Sequence, residues 1–264
     1  MPPLAAQPKP RRVLILGGTT EGRALAAACA ARPGIEVISS LAGRTTTPLL
    51  PAGSVRVGGF GGIDGLAAYL REAGIAALVD ATHPFAATIT AHAVAAASRA
   101  GVPLLVLHRP GWTEQPGDNW HRVPTLESAA ALLPKLGERI FLTTGRQSIA
   151  AFAQVDRCWF LSRSVEQPTP PMPKRLKVLL DRGPFTLDGE RALLAEHRIE
   201  ALVTKDSGGT TAKLDAARDR AIPVVLIDRP PLPTAVPTVP TVEAALTWLS
   251  LGQRAGGVAV DQAG

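Results

Sequence analysis

The chain has 264 residues, 46% of them hydrophobic and 4% aromatic, with a formal net charge of +6; this is enough for one large or two ordinary domains with a sizeable core, and excludes a disordered chain. The opening "MPPLAAQPKPRR" lacks the apolar stretch of about 7–15 residues of a signal peptide, and no apolar run reaches the roughly 18 residues that span a bilayer, so a soluble cytoplasmic protein without a membrane partner is expected. Scattered Lys and Arg with few aromatics argue against nucleic acid, leaving a small polyanionic ligand or a proteome-wide basic bias as the two sources of the charge.

In chain order, strands are predicted at Val13–Leu16, Glu36–Ser40, Ser54–Val57, Ala77–Asp80 and Leu104–Leu107. A second series follows at Arg139–Thr143, Trp159–Ser162, Lys177–Leu180, Ala201–Thr204 and Val224–Ile227. Helices fit between them at Glu21–Ala31, Gly65–Ala73, Thr88–Ala100, Gly189–His197 and Thr211–Arg220. Strands alternating with helices imply an α/β fold of parallel sheets covered on both faces. Cys29 and Cys158 lie far apart without metal-type spacing, so both read as ordinary buried thiols and no metal site is expected.

The second series echoes the first. "IDGLAAYLREAGIAALVD" (Ile63 to Asp80) aligns with "LDGERALLAEHRIEALVT" (Leu187 to Thr204), and "AGVPLLVLHRP" (Ala100 to Pro110) aligns with "RAIPVVLIDRP" (Arg220 to Pro230). "VPTLESAAALL" (Val123 to Leu133) likewise echoes "VPTVEAALTWL" (Val239 to Leu249). Shared Asp-Gly, Arg-Pro and Pro-Thr landmarks in one order indicate two similar doubly wound domains, 11–136 and 137–252, joined near residues 134–138. Segments 1–10 and 253–264 are expected to be disordered tails. In such folds ligands bind outside the carboxyl ends of the strands, and a cleft between the two domains is the expected site.

The first of those ends carries "VLILGGTTEGRAL" (Val13 to Leu25). A G-x-G-x-x-G turn would need glycine at position 19, where this chain has Thr19. Two readings stand: a cofactor turn whose threonine hydroxyl replaces close backbone approach to a phosphate, or a plain tight strand-helix connection. The loop after the second strand reads Ser39-Ser40-Leu41-Ala42-Gly43-Arg44 and contains no acid. An NAD site would place Asp or Glu there, so Arg44 points to a phosphorylated ribose and hence NADP, or else is a solvated loop arginine. In "DATHPFA", His83 precedes Pro84 and is held off the helical region. It is either a proton donor or a shaping contact beside a nicotinamide ring. His92, His108, His121 and His197 have no partner spacing and receive no role.

In the second series, Thr144, Gly145 and Arg146 replace the glycine turn. Arg182-Gly183-Pro184-Phe185 and Lys205-Asp206-Ser207-Gly208-Gly209 occupy other strand ends. Their cations, with Arg163, are expected to face the cleft and to suit carboxylates, which Arg binds bidentately and Lys as a point charge. The last of these loops lacks the spacing of a nucleotide triphosphate loop.

Taken together and in order, "LILGGTTEGR", "DATHPFA", "TTGR", "RGPF", "KDSGG" and "ARDRAIPVVLIDRP" resemble the precorrin-6A reductase family of cobalamin biosynthesis from about Val13 to about Pro231. The resemblance implies a two-domain Rossmann-like fold and hydride transfer from NADPH to an oxidised tetrapyrrole, giving precorrin-6B. It implies that Gly17, Gly18, Thr19, Thr20 and Glu21 hold the cofactor phosphates, that Arg44 holds the ribose phosphate, and that Thr82, His83 and Pro84 approach the nicotinamide. On the second domain, Thr144, Gly145, Arg146, Arg182, Gly183, Lys205, Ser207 and Gly208 are expected to hold the acetate and propionate groups of the tetrapyrrole polycarboxylate substrate. The proton donor is left unassigned, with His83 and Asp206 as candidates beside water. Transient contact with neighbouring pathway enzymes is a further expectation. The competing readings are an NADP-dependent reductase of another anionic compound, an NADP-sensing protein without turnover, and a nucleotide-sugar transferase.

Overall fold

A computed structural model describes residues 10–43, 49–234 and 236–254. Twelve strands and seven α-helices occur among them, in two compact units. One unit comprises the described residues up to Arg109 and from Pro231 onward; the other is Pro110–Pro230.

The first unit contains β1 (Arg11–Leu16), α1 (Thr20–Ala30), β2 (Ile35–Leu41), β3 (Ser54–Val57), α2 (Gly62–Glu72), β4 (Ile75–Asp80), α3 (Ala87–Ala100) and β5 (Leu104–Leu107). The chain then builds the second unit from β6 (Trp120–Val123), α4 (Leu126–Leu132), β7 (Arg139–Leu142), β8 (Trp159–Ser164), β9 (Leu176–Leu180), α5 (Leu187–Glu196), β10 (Ala201–Lys205), α6 (Ala212–Asp219) and β11 (Val224–Ile227). It returns to the first unit with β12 (Thr238–Val239) and α7 (Val242–Arg254).

Every strand pairing is parallel. The first sheet has the order β12-β5-β4-β1-β2-β3 and the second β6-β11-β10-β7-β8-β9. Each is the doubly wound order 3-2-1-4-5-6, but in each the sixth strand comes from the other half of the sequence. The segment after β5 pairs with β11, with Trp120 opposite Val224 and Val123 opposite Ile227. The segment after β11 pairs with β5, with Thr238 opposite Val106 and Val239 opposite Leu107.

The expected boundary near 134–138, and with it the ranges 11–136 and 137–252, is therefore corrected: residues 120–132 belong to the second unit and 238–254 to the first. The physical reason is that a parallel strand finds its neighbour through a long crossover, so its sheet is not fixed by the element that precedes it. The two exchanged segments are the third echo seen in the sequence. Each opens with a Pro-Thr cap: Thr125 Oγ1 accepts from the Ser128 amide at 3.1 Å and Thr241 Oγ1 from the Ala244 amide at 3.2 Å. The expected tails lie outside the described residues, except that Pro10 is described and α7 takes in residues 253 and 254.

The unbroken apolar run of β1 follows from burial on both faces. Val13 and Ile15 pack with Leu25, Ala26 and Cys29 of α1 and with Ala245 and Leu249 of α7. Leu14 and Leu16 pack with Leu66, Ala67 and Leu70 of α2 and with Ala93, Ala96 and Ala97 of α3. In the second sheet, Phe141 and Leu161 pack with Leu194 of α5 and Leu214, Ala216 and Ala217 of α6. Phe152, at the end of the 3-10 helix Arg146–Phe152, lies 6.0 Å from the Phe160 ring. Cys29 and Cys158 are both buried and unpaired, and burial pushes both thiols above their ordinary pKa. No described helix is long and apolar enough to cross a membrane.

The exchange has a local signature. Leu249→Ala removes a fully buried side chain of α7 and is expected to cost about 2–5 kcal/mol. Hydrogen-exchange mass spectrometry of this variant is expected to show faster exchange in β5 and α1, with β11 and α4 unchanged; acceleration confined to β11 and α4 would contradict the strand order.

Candidate functional site

In the first unit β1 and β4 are neighbours, and the helices that follow them, α1 and α3, pack on opposite faces of the sheet. This divergence opens the crevice in which doubly wound folds take ligands. The turn Gly17–Glu21 lies at one rim and the loop Ala81–Ala86 at the other.

The turn leaves β1 with the Gly17 amide donating to the Ser40 carbonyl at 2.9 Å. Gly18 has φ +116°, and a Cβ on it meets nothing within 4 Å, so the backbone is bare where a ligand would approach. Thr19 departs from the expectation that its hydroxyl binds a phosphate. It is buried, it caps α1 by accepting from the Gly22 amide at 3.0 Å, and it donates its one hydrogen to the Ala81 carbonyl at 2.7 Å. Thr20 is exposed, its Oγ1 accepts from Arg23 at 3.1 Å, and it is the first residue of α1, where a helix amide has no intrahelical partner. Glu21 places its carboxylate 2.8 Å from Arg109, so its side chain answers a cation of its own unit. At Gly22 a Cβ would stand 3.4 Å from the Ala81 carbonyl oxygen and 3.3 Å from Thr19 Oγ1, and glycine there allows α1 to approach the opposite rim.

The opposite rim is organised by Asp80, which the sequence reading passed over as the end of a strand. Asp80 is 1% exposed. Its Oδ1 accepts from the Thr82 amide at 3.0 Å and the Thr82 hydroxyl at 2.7 Å, and its Oδ2 from the Thr90 hydroxyl of α3 at 2.6 Å. Beyond Thr82, His83 is exposed and Pro84 buried. His83 Nδ1 accepts from the Phe85 amide at 3.2 Å, and its carbonyl accepts from the Ala86 amide at 2.7 Å. That bond assigns the neutral ring hydrogen to Nε2.

Arg44 lies outside the described residues. A cation the sequence reading missed stands next to the same loop: Arg56 donates to Ser40 Oγ at 2.9 Å and to the carbonyls of Gly58 and Gly59 at 2.9 and 3.0 Å, and lies 3.8 Å over the Phe60 ring. Only its strand position opposite Ser40 of β2 could have marked it.

In the second unit the equivalent crevice lies between β7 and β10. The Thr143 amide and hydroxyl both donate to the Val203 carbonyl, at 2.9 and 3.1 Å. Thr144 is buried, and its Oγ1 has no partner among the described residues. Gly145 has φ +82°, and Arg146, at the start of a 3-10 helix rather than an α-helix, pairs with Glu166 at 3.2 Å. Arg182 and Gly183 are exposed in the loop after β9, and the Arg182 amide donates to Asp181.

After β10, Lys205 and Ser207 are half-buried, and the Ser207 amide donates to the Lys205 carbonyl at 2.6 Å. Gly208 has φ +67°, and a Cβ there would fall 2.1 Å from the Pro110 carbonyl oxygen, so this loop is seated directly on the segment that enters the unit. A cavity of about 350 Å³ in this unit is lined by Trp112, Trp120, Leu214 and Arg218 among others, and by none of the expected substrate residues.

One expectation is corrected here. Arg163 is buried, 2.7 Å from Glu190 and 3.5 Å over the Phe185 ring; it secures the RGPF loop from beneath instead of presenting a cation to a ligand. Its apolar strand neighbours and a glutamate on α5 supply that burial, and neither is visible from loop position alone. Asp206 is also buried. Its Oδ2 accepts from Arg122 at 2.8 Å and its Oδ1 from the Trp112 amide at 3.0 Å, so the carboxylate is turned to partners of its own unit.

The sequence profile of "Precorrin-6x reductase CbiJ/CobK" matches residues 12–250. A precorrin-6A reductase of Rhodococcus erythropolis is 57% identical over 90% of this chain and 97% of its own length. One from Mycobacterium tuberculosis (strain CDC 1551 / Oshkosh) is 52% identical over 90% and 97%. A solved structure described as CobK precorrin-6A reductase superposes with a TM-score of 0.86 at 42% identity, covering 92% of this chain and 97% of that one. With nearly the whole folded chain matched, and with two parallel α/β sheets beneath the match, the protein belongs to the precorrin-6x reductase family.

Proposed function

We propose that the chain reduces precorrin-6A to precorrin-6B with NADPH. The observation that carries this reading is the 57% identity, over 90% of the chain, to a precorrin-6A reductase. The residues at the first crevice fit a dinucleotide: Gly18 offers bare backbone, α1 begins with exposed Thr20, and the rim opposite is closed by a rigid loop. NADPH, when bound, supplies the hydride, and a proton completes the reduction of the ring.

Gly17, Gly18, Thr20 and the backbone of Glu21 hold the phosphates, and Arg44 holds the ribose phosphate. Thr82, His83 and Pro84 shape the space for the nicotinamide. Thr144, Gly145, Arg146, Arg182, Gly183, Lys205, Ser207 and Gly208 hold the macrocycle by its peripheral carboxylates, leaving its conjugated centre free. Water supplies the proton; both Asp206 oxygens are turned to partners within the unit, and His83, whose ring hydrogen lies on Nε2, is the side chain that competes with water.

Mixing the purified chain with NADPH and precorrin-6A tests the reading; loss of reduced-nicotinamide absorbance with a product heavier by two hydrogens is expected, and unchanged NADPH would refute it. Arg44→Ala is expected to weaken NADPH binding by about 1.5–3 kcal/mol, the range for a hydrogen bond to a charged group, with NADH binding little altered. Equal losses in the two titrations would remove Arg44 from this role. Lys205→Ala and Arg182→Ala are expected to weaken macrocycle binding while NADPH titrates as before. His83→Ala is expected to retain turnover; complete loss with both ligands still bound would make His83 the proton donor.

A further inference from the structure

The two rims of the first crevice are joined by a short hydrogen-bonded chain. The Gly22 amide donates to Thr19 Oγ1 at 3.0 Å, and that hydroxyl donates to the Ala81 carbonyl at 2.7 Å. The Ala81 amide is fixed in turn to the Leu16 carbonyl at 2.9 Å. One residue to either side of Ala81, Asp80 and Thr82 are locked together by two hydrogen bonds, and Thr90 ties Asp80 to α3. A glycine at position 19, as in the G-x-G-x-x-G turn, has no hydroxyl and would leave the first turn of α1 without its link to the opposite rim.

Asp80 sharpens the point. A buried carboxylate is costly unless it is fully hydrogen-bonded, and among the described residues every partner of Asp80 is a neutral amide or hydroxyl. Those bonds define the conformation of Thr82, which leads through exposed His83 to buried Pro84.

We propose that Thr19 and Asp80 are positioning residues for hydride transfer: Thr19 couples the phosphate turn to the Ala81 rim, and Asp80 holds Thr82–Pro84 in register with it, so that seating the phosphates also sets the ring. The inference rests on the NADPH reading above. Neither side chain touches the cofactor; each acts through the backbone it holds. A misplacement of about 1 Å at a reacting centre costs about a hundredfold in rate, which is why a link of this kind separates binding from turnover.

Thr19→Val keeps the shape and removes the hydroxyl, Thr19→Ser restores it, and Thr90→Val removes one bond to Asp80 while leaving Thr82 untouched. Thr19→Val is expected to lower kcat by about ten- to a hundredfold with the NADPH dissociation constant little changed and a larger isotope effect from deuterated NADPH, and Thr19→Ser is expected to recover most of the rate. Thr90→Val is expected to shift kcat in the same direction, and it serves alone if Thr19→Val does not fold.

Hydrogen exchange gives a readout independent of turnover. In the wild-type protein, NADPH is expected to protect both residues 17–22 and residues 81–86; in Thr19→Val the second protection is expected to vanish while the first remains. Undiminished kcat, a loss of kcat matched by an equal loss of binding, failure of serine to rescue, or protection of 81–86 in Thr19→Val overturns the proposal. A wild-type protein that neither binds nor oxidises NADPH refutes the NADPH reading itself, a result distinct from any of these.

Discussion

The amide of Val106 donates to the carbonyl of Pro237 and the amide of His108 to that of Val239, both at 2.9 Å; these bonds bring the end of the chain back to the sheet at its beginning. The reciprocal pair, Val224 to Asn119 at 2.9 Å and Asp228 to Val123 at 2.8 Å, does the same for the second sheet. Without these ladders β5 and β11 would each present an unpaired edge, and the α1 face of the first sheet would lose Ala245 and Leu249 from its core. Folding of either unit thus requires chain from both halves of the sequence, and the doubly wound order that creates each crevice is completed only when the whole length has been used.

Within that frame the two crevices have different characters. The first is built from short bonds among neutral groups: a threonine cap, a carbonyl, a buried carboxylate with hydroxyl partners. Among the described residues, Arg56 and Arg109 turn to the carbonyls, serine and glutamate of their own unit. The second is laced by ion pairs, Arg163 with Glu190, Arg146 with Glu166 and Arg122 with Asp206. The Arg163 pair is almost wholly buried, where desolvation offsets much of the attraction; its clearest consequence is geometric, a guanidinium fixed under Phe185 and the loop that carries Arg182. Asp206 has the same kind of role after β10, gathering Arg122 and the Trp112 amide onto the loop that carries Lys205 and Ser207.

Much of this was legible from the residues. Ten of the twelve strands were readable as apolar runs bounded by turn residues, and the glycine turn, the Thr82–Pro84 loop and the RGPF and KDSGG loops all stand at strand ends. The strands that escaped notice, Trp120–Val123 and Thr238–Val239, are short and mix polar with apolar residues, so neither period stands out. Thr19 was read as a phosphate ligand because the motif places it beside a phosphate; that its hydroxyl is already spent depends on Ala81, a residue 62 positions away. Asp80 was passed over because nothing in an apolar strand reveals that its last side chain turns to meet Thr82 and Thr90.

The amino-acid sequence alone determined the α/β class, the internal repeat, the places where strands end in chemistry, and the family. These are local matters, set by hydrophobic period, by the backbone demands of glycine and proline, and by which side chains follow a strand. Tertiary structure alone decided which sheet receives the last strand of each repeat, and which polar groups at the crevices remain open to a ligand. Both depend on partners brought together across long stretches of chain, where a hydrogen bond already made inside the protein leaves that donor with nothing further to give.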